Sequence, residues 1–226
     1  MPLRQVRSYH DYRGNRLQTA PVSEPVTRDE LKTHLRIIGT SEDDYLDDLL
    51  AEARQEIEDT TGLAFISQEW LLTLDHWPQT REAWWDGERE AHVNVIHDGE
   101  QWAQVQLPRY PLITVDSVTV YDEDGTSSAV TIADVFNTDA SFLRGRLALK
   151  RSATWPIALQ AISAIEIAYT AGYGANATDV PAPLKRAIRQ MAAYMYEHRG
   201  DGCEPKDAFV HSGAKAILDR YRVVEV

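Results

Sequence analysis

Leu46, Leu49, Leu50, Ala53 and Ile57 recur at steps of three and four residues, which lines one face of a helix with apolar side chains and turns it inward. The surrounding stretch, "TSEDDYLDDLLAEARQEIEDTTG" from Thr40 to Gly62, carries nine carboxylates and one arginine. Ser41 and Asp44 are spaced as a capping box at its start, and Gly62 offers a left-handed stop at its end. Glu42, Asp43 and Asp44 fall in the first turn, where the helix dipole favours negative charge, while Asp48, Glu52 and Glu56 repeat every fourth residue along the outer side. Ahead of this helix, Thr27 and Glu30 in "TRDELKTHL" form a second capping box and predict a short helix to about Leu35.

From about Ser67 the period of the pattern falls to two. "QEWLLTLD" and "QWAQVQLP" alternate, and "ITVDSVTVYDEDGTSSAVTI" reads as two strands joined by a turn at Asp124 and Gly125. "GRLALKR" and "AISAIEIAYT" continue it with β-branched and aromatic residues, whereas residues 79–100 are polar and weakly periodic, an elongated loop or an extra hairpin. After "TAGYGANATDVPAP" the helical period returns in Leu184, Ile188, Met191 and Met195, with Gly200 as the expected stop. A last helix is expected from about Ser212 to Arg222, burying Ala214, Ile217, Leu218 and Tyr221. The order helix, sheet, helix predicts an α+β fold: a discontinuous helical bundle with an inserted antiparallel β-rich block. Its parts are a basic N-terminal arm (1–24), a first helical half (25–66), the β-rich insertion (67–170) and a second helical half (171–226).

Composition narrows the chemistry. With 226 residues and 43% hydrophobic side chains the chain buries a real core. A net charge of -12 and a pI near 5.0 argue against gripping a nucleic acid by neutralising its phosphates, although an acidic protein can surround DNA without holding it. Cys203 is the only cysteine, so there is no intramolecular disulfide and no CxxC metal or redox motif. No apolar run approaches the roughly 20 residues needed to cross a bilayer, and no apolar segment follows the basic N-terminus. The expectation is a soluble protein made in a cytoplasm, with no membrane partner. Arg4, Arg7, Arg13 and Arg16 give the first residues a sign opposite to the body, as a basic arm or a partly disordered terminus.

The candidate reactive groups are weak. Asp44, Asp48 and Glu52 could face a hard cation, but a straight helical row cannot wrap a sphere of ligands. "GYGANA", Gly172 to Ala177, fits G-x-G-x-x-A, yet "TDVPAP" separates it from the next helix and no βαβ unit surrounds it, so a plain turn with glycine at positive φ is expected. His92, His97 and Asp98, and His76 beside Asp75, have no metal-ligand spacing. Acidic neighbours of Cys203 in "GDGCEPKD" raise its pKa, and no G-x-S-x-G elbow is present. The Trp84-Trp85 pair either stacks on a ligand or folds back onto the sheet. No residue takes a catalytic role, and no cofactor or metal is assigned.

Three stretches together resemble the head-tail connector, or adaptor, proteins of long-tailed bacteriophages and gene transfer agents. They are "PVTRDELKTHLRIIGTSEDDYLDDLLAEARQEIEDTTGLAFISQEWLLTLDHWP", "LPRYPLITVDSVTVYDEDGT" and "IEIAYTAGYGANATDVPAPLKRAIRQMAAYMYEHRGD". The opening "PVT", the "HLRI" helix end, the acidic "DD" helix ending in "TG", and the "GY" loop with "VP" occur in the family's order. The resemblance implies a virion component of the head-tail junction, present in the host cytoplasm before assembly and without enzymatic activity. It implies a ring of neighbouring copies, usually dodecameric, between the portal protein and a stopper or tail-terminator protein, through which double-stranded DNA passes without sequence-specific binding. By position, the segment from Leu218 to Val226 would meet the portal, with Tyr221, Val223 and Val224 as apolar anchors and Arg220 and Arg222 as charged partners. Asp44, Asp48, Glu52 and Glu56 would form an acidic ring-contact or lumen face, and acids on a channel wall repel phosphates. The competing readings are an acidic, DNA-mimicking protein-binding module and a metal-assisted hydrolase built on Asp48 with His92 or His97.

Overall fold

Two antiparallel sheets and six helices are formed by the residues that the computed structural model describes: 13–77, 104–140, 144–150, 153, 159–199 and 205–221. Helix α1 spans Arg28–Leu35 behind the expected capping box: the Thr27 hydroxyl accepts from the Glu30 amide at 3.2 Å, and the Glu30 carboxylate accepts from the Thr27 amide at 3.0 Å. Helix α2 spans Asp43–Thr61 and stops where expected, with Gly62 at φ 80° donating its amide to the Glu58 carbonyl at 2.8 Å. Its start corrects the expectation. Glu42, not Ser41, is the N-cap residue, and no side chain caps the helix.

Strand β1 (Arg13–Thr19) pairs with β2 (Gln68–Leu74), opposing Asn15 to Leu72, so part of the segment expected as a basic arm is an edge strand. Its alternation is faint because nearly every residue of it meets solvent, including Leu17, its only large apolar residue. Strands β3 (Gln104–Gln106), β4 (Leu112–Tyr121) and β5 (Ser127–Val130) follow, with the expected turn at Gly125, φ 79°. One helical turn, α3 (Ile132–Val135), leads into β6 (Phe136–Asp139), neither expected from the pattern, and then β7 (Arg146–Leu149) and β8 (Ile165–Ala171). The larger sheet runs β1-β2-β8-β4-β5 and the smaller β3-β7-β6. Strand β8 buries Ile165, Ile167, Tyr169 and Ala171 on alternate positions, as its sequence alternation predicts.

Helix α4 (Ala182–Glu197) ends at His198, two residues short of Gly200, which lies outside the described residues. The helix expected from about Ser212 to Arg222 is the shorter α6 (Ala214–Leu218), which starts behind Gly213, φ 81°, and a further helix that was not expected, α5 (Pro205–His211), precedes it. Leu46, Leu50 and Ile57 of α2 pack with Leu184, Ile188 and Met191 of α4, and Leu218 of α6 joins the same core. Helices from before and after the strands therefore close on one another. A second core lies under the sheets, where Leu72, Val118, Leu147 and Ile167 surround the Trp77-Phe136 pair, ring centroids 5.7 Å apart.

Candidate functional site

The acids of α2 divide by what they touch. Asp43 accepts from Lys32 at 2.7 Å and from Arg28 at 2.8 Å, and Asp47 faces the same guanidinium at 3.0 Å, which ties α2 to α1. The Lys32 hydrogen bond, more than the Arg28 one, holds the Asp43 carboxyl below its ordinary value. Glu42 accepts from the Tyr196 hydroxyl at 2.6 Å and from Arg199 at 2.7 Å, and these lower its pKa in that order. Arg199 also lies 4.9 Å over the Tyr196 ring, so this corner locks α2 to the end of α4. Glu42 at the N-cap and Asp43 are thus spent on side chains from other parts of the chain, while Asp44 stays exposed and forms no cap.

Arg54 and Glu58 turn inward. Leu46, Leu50, Arg54 and Glu58 are spaced by four, so the apolar row of α2 runs on into an ion pair, an arrangement that sequence reading missed although the spacing carries it. Glu58 is 5% exposed and accepts from Arg54 at 2.7 Å, Gln68 at 2.7 Å and the Phe65 amide at 3.0 Å. Burial raises its pKa against the pull of Arg54. For Arg54 burial works the other way, but Glu24, at 2.8 Å, and Glu58 together hold its pKa above the ordinary value. Arg109 caps the assembly: it donates to the Glu58 carbonyl, pairs with Asp59 at 2.6 Å and stacks 4.4 Å over Trp70. The cluster binds the helical core to the larger sheet.

What remains on the outside of α2 is Asp44, Asp48 and Glu52, exposed and without an ion-pair partner among the described residues, with Glu56 half-buried and accepting from Thr60 at 3.2 Å. Lys185 and Arg186 at the start of α4 likewise make no ion pair among the described residues, and sequence reading did not single them out. At the C-terminal end, Leu218 is 1% exposed inside the helical core, Tyr221 is half-buried against it and Arg220 is exposed. Arg222, Val223 and Val224 lie outside the described residues, as do Trp84, Trp85, His92, His97, Asp98 and Cys203.

The glycine loop is a packed turn. Gly172 and Gly174 sit at φ 145° and 157°, and their stretch is tied down by bonds from the Gly172 amide to the Pro111 carbonyl, 2.8 Å, and from the Tyr173 amide to the Phe65 carbonyl, 3.0 Å. The Asp179 carboxylate accepts from the Asn176 amide at 2.9 Å, so an acid occupies the place where a phosphate would need free amides. His76 is exposed, and its neighbour Asp75 accepts from the Ser163 amide at 2.7 Å. Among the described residues there is no cluster of histidines, cysteines and acids able to hold a metal, and no helix long and apolar enough to cross a membrane. What the described surface carries instead is unpaired charge, on the outer row of α2 and at the start of α4.

The family model of phage gp6-like head-tail connector proteins matches residues 26–123, which spans α1 to the turn after β4. A solved chain from the neck of an empty gene transfer agent (GTA) particle, computed with C6 symmetry, is 25% identical with a TM-score of 0.71, covering 94% of this chain and 97% of that one. A chain of the native GTA virion is 27% identical with a TM-score of 0.69, covering 94% and 96%. A chain from the native GTA neck, computed with C12 symmetry, is 25% identical with a TM-score of 0.69, covering 94% and 97%. No curated protein sequence matches the chain.

Proposed function

We propose that the chain is a non-enzymatic member of the phage gp6-like head-tail connector family, whose model matches residues 26–123, and that it is an adaptor subunit of a virion neck. Copies form a ring, a dodecamer, seated between the capsid portal and a stopper or tail terminator, and the ring completes the channel for double-stranded DNA. The observation that carries this is the likeness over 94% of the chain to subunits of GTA necks, one of them computed with twelvefold symmetry. A ring of wedges needs a large heterologous surface on each subunit, and the helical half supplies amphipathic helices with charged outer faces. A charge of -12 per subunit would also keep phosphates from sticking to the channel wall, so DNA slides through.

In this reading the helical halves 25–66 and 171–226 build the ring, the β-rich insertion 67–170, with β1 on its edge, projects from it, and residues 1–12 reach other virion proteins. The acids Asp44, Asp48, Glu52 and Glu56 line a contact or the lumen. The portal is held by the C-terminal tail, but Leu218 is committed to the subunit's own core and serves as the tail's root. Arg220, Tyr221, Arg222, Val223 and Val224 make the contact.

Deleting the gene from the particle that encodes it should leave DNA-filled heads unjoined to tails; particles with normal necks would sink the proposal. For the tail, a chain lacking residues 222–226 should keep its circular dichroism and melting temperature but no longer co-sediment with the portal protein of the same genome. Undiminished co-sedimentation would refute the tail assignment alone.

A further inference from the structure

Asp44, Asp48 and Glu52 form an outward row one helical turn apart, and none of them meets a cation among the described residues. Like charges at that spacing repel, so the row lowers helix stability unless opposite charge lies against it. Lys185 and Arg186 lie near the N-terminal end of α4, where the helix dipole disfavours cations, and they too are unpaired among the described residues. Both helices turn their apolar faces to one core, and the two patches belong to the residues left outside it. Two patches of opposite sign that form no ion pair with each other within the chain are complementary between chains.

We propose that the Asp44, Asp48 and Glu52 row of one copy docks on Lys185 and Arg186 of a second copy. The inference rests on the ring reading above, and it names the faces. Such a contact is head to tail, using two different patches, so at constant rotation it repeats until it closes, whereas a self-complementary patch stops at a dimer. Because the charges are exposed, the attraction falls with salt as the Debye length shrinks from about 10 Å at 0.1 M to about 3 Å at 1 M.

The test uses the full chain in sedimentation velocity and negative-stain imaging, with thermal melts to show that each variant folds. One variant carries Asp44→Lys, Asp48→Lys and Glu52→Lys, a second Lys185→Glu and Arg186→Glu, and a third all five changes. The expected result is closed assemblies for the wild type that dissolve at high salt, loss of them in both single-face variants, and their return in the five-substitution chain, where both signs are reversed. Assemblies that persist in the single-face variants overturn the contact and leave the connector reading standing. A folded five-substitution chain that stays monomeric overturns it too, as does a wild-type chain that is monomeric at every concentration. The connector reading falls separately, on particles whose heads and tails join without the gene.

Discussion

Glu58 is the residue on which the two halves of the architecture depend, because its carboxylate collects donors from α2, from the Phe65 amide and from Gln68 at the start of β2. Glu58→Ala should cost about 3–5 kcal/mol in urea unfolding, since it strands the Arg54 charge in a buried site. The same group sets a pH dependence. Its folded pKa is raised by burial, so the folded protein holds the proton more tightly than the unfolded chain, and the stability this contributes is complete below the ordinary value of 4.5. It is lost as pH rises through the raised folded value. Glu58→Gln should flatten the stability profile over that window, and an unchanged slope would contradict the assignment. Sequence reading placed this acid with its neighbours because composition, not spacing, dominated there. The step of four from Leu46 through Leu50 to Arg54 was the available signal.

At the scale of elements, the turn between β8 and α4 is fixed by backbone contact. A Cβ on Gly172 would lie 2.7 Å from the Ile66 carbonyl carbon and the Ser67 amide nitrogen, whereas one on Gly125 in the β4-β5 turn meets nothing within 4 Å. Gly172→Ala should therefore destabilise by more than about 2 kcal/mol, against about 1 kcal/mol for Gly125→Ala, where positive φ is the sole penalty. Equal melting temperatures for the two variants would contradict this. Elements with a long, undisturbed period were legible: α1, α2, α4, β2, β4 and β8 stand where the pattern put them. Those that sequence missed are short or half wet. Strand β1 is exposed along nearly all its length, α3 and β6 are four residues each, and α5 is a seven-residue helix ahead of the turn at Gly213. The Ser41-Asp44 cap did not form because the helix starts one residue later, behind Glu42, whose carboxylate is taken by Tyr196 and Arg199, distant in sequence and close only after folding.

The whole molecule closes through its ends. Leu218, from the last helix, fills the core that α2 and α4 share, so Leu218→Ala should lower stability by about 2–5 kcal/mol, read in thermal or urea unfolding. That alternating strands sit between two helical segments could be read from periodicity, and so could the α+β class. The proposed pairing of faces was beyond it, because Lys185 and Arg186 look like any solvated cations until the fold shows that no acid among the described residues pairs with them. The closure also has a meaning in time. While the ribosome makes residues 62–181, α1 and α2 already exist with their apolar faces uncovered, and their partner has not yet emerged. Until then a chaperone or a stray chain can bind there. A chain that terminates early never acquires α4, so it presents neither a covered core nor a complete outer surface, and only full-length copies are fit to assemble.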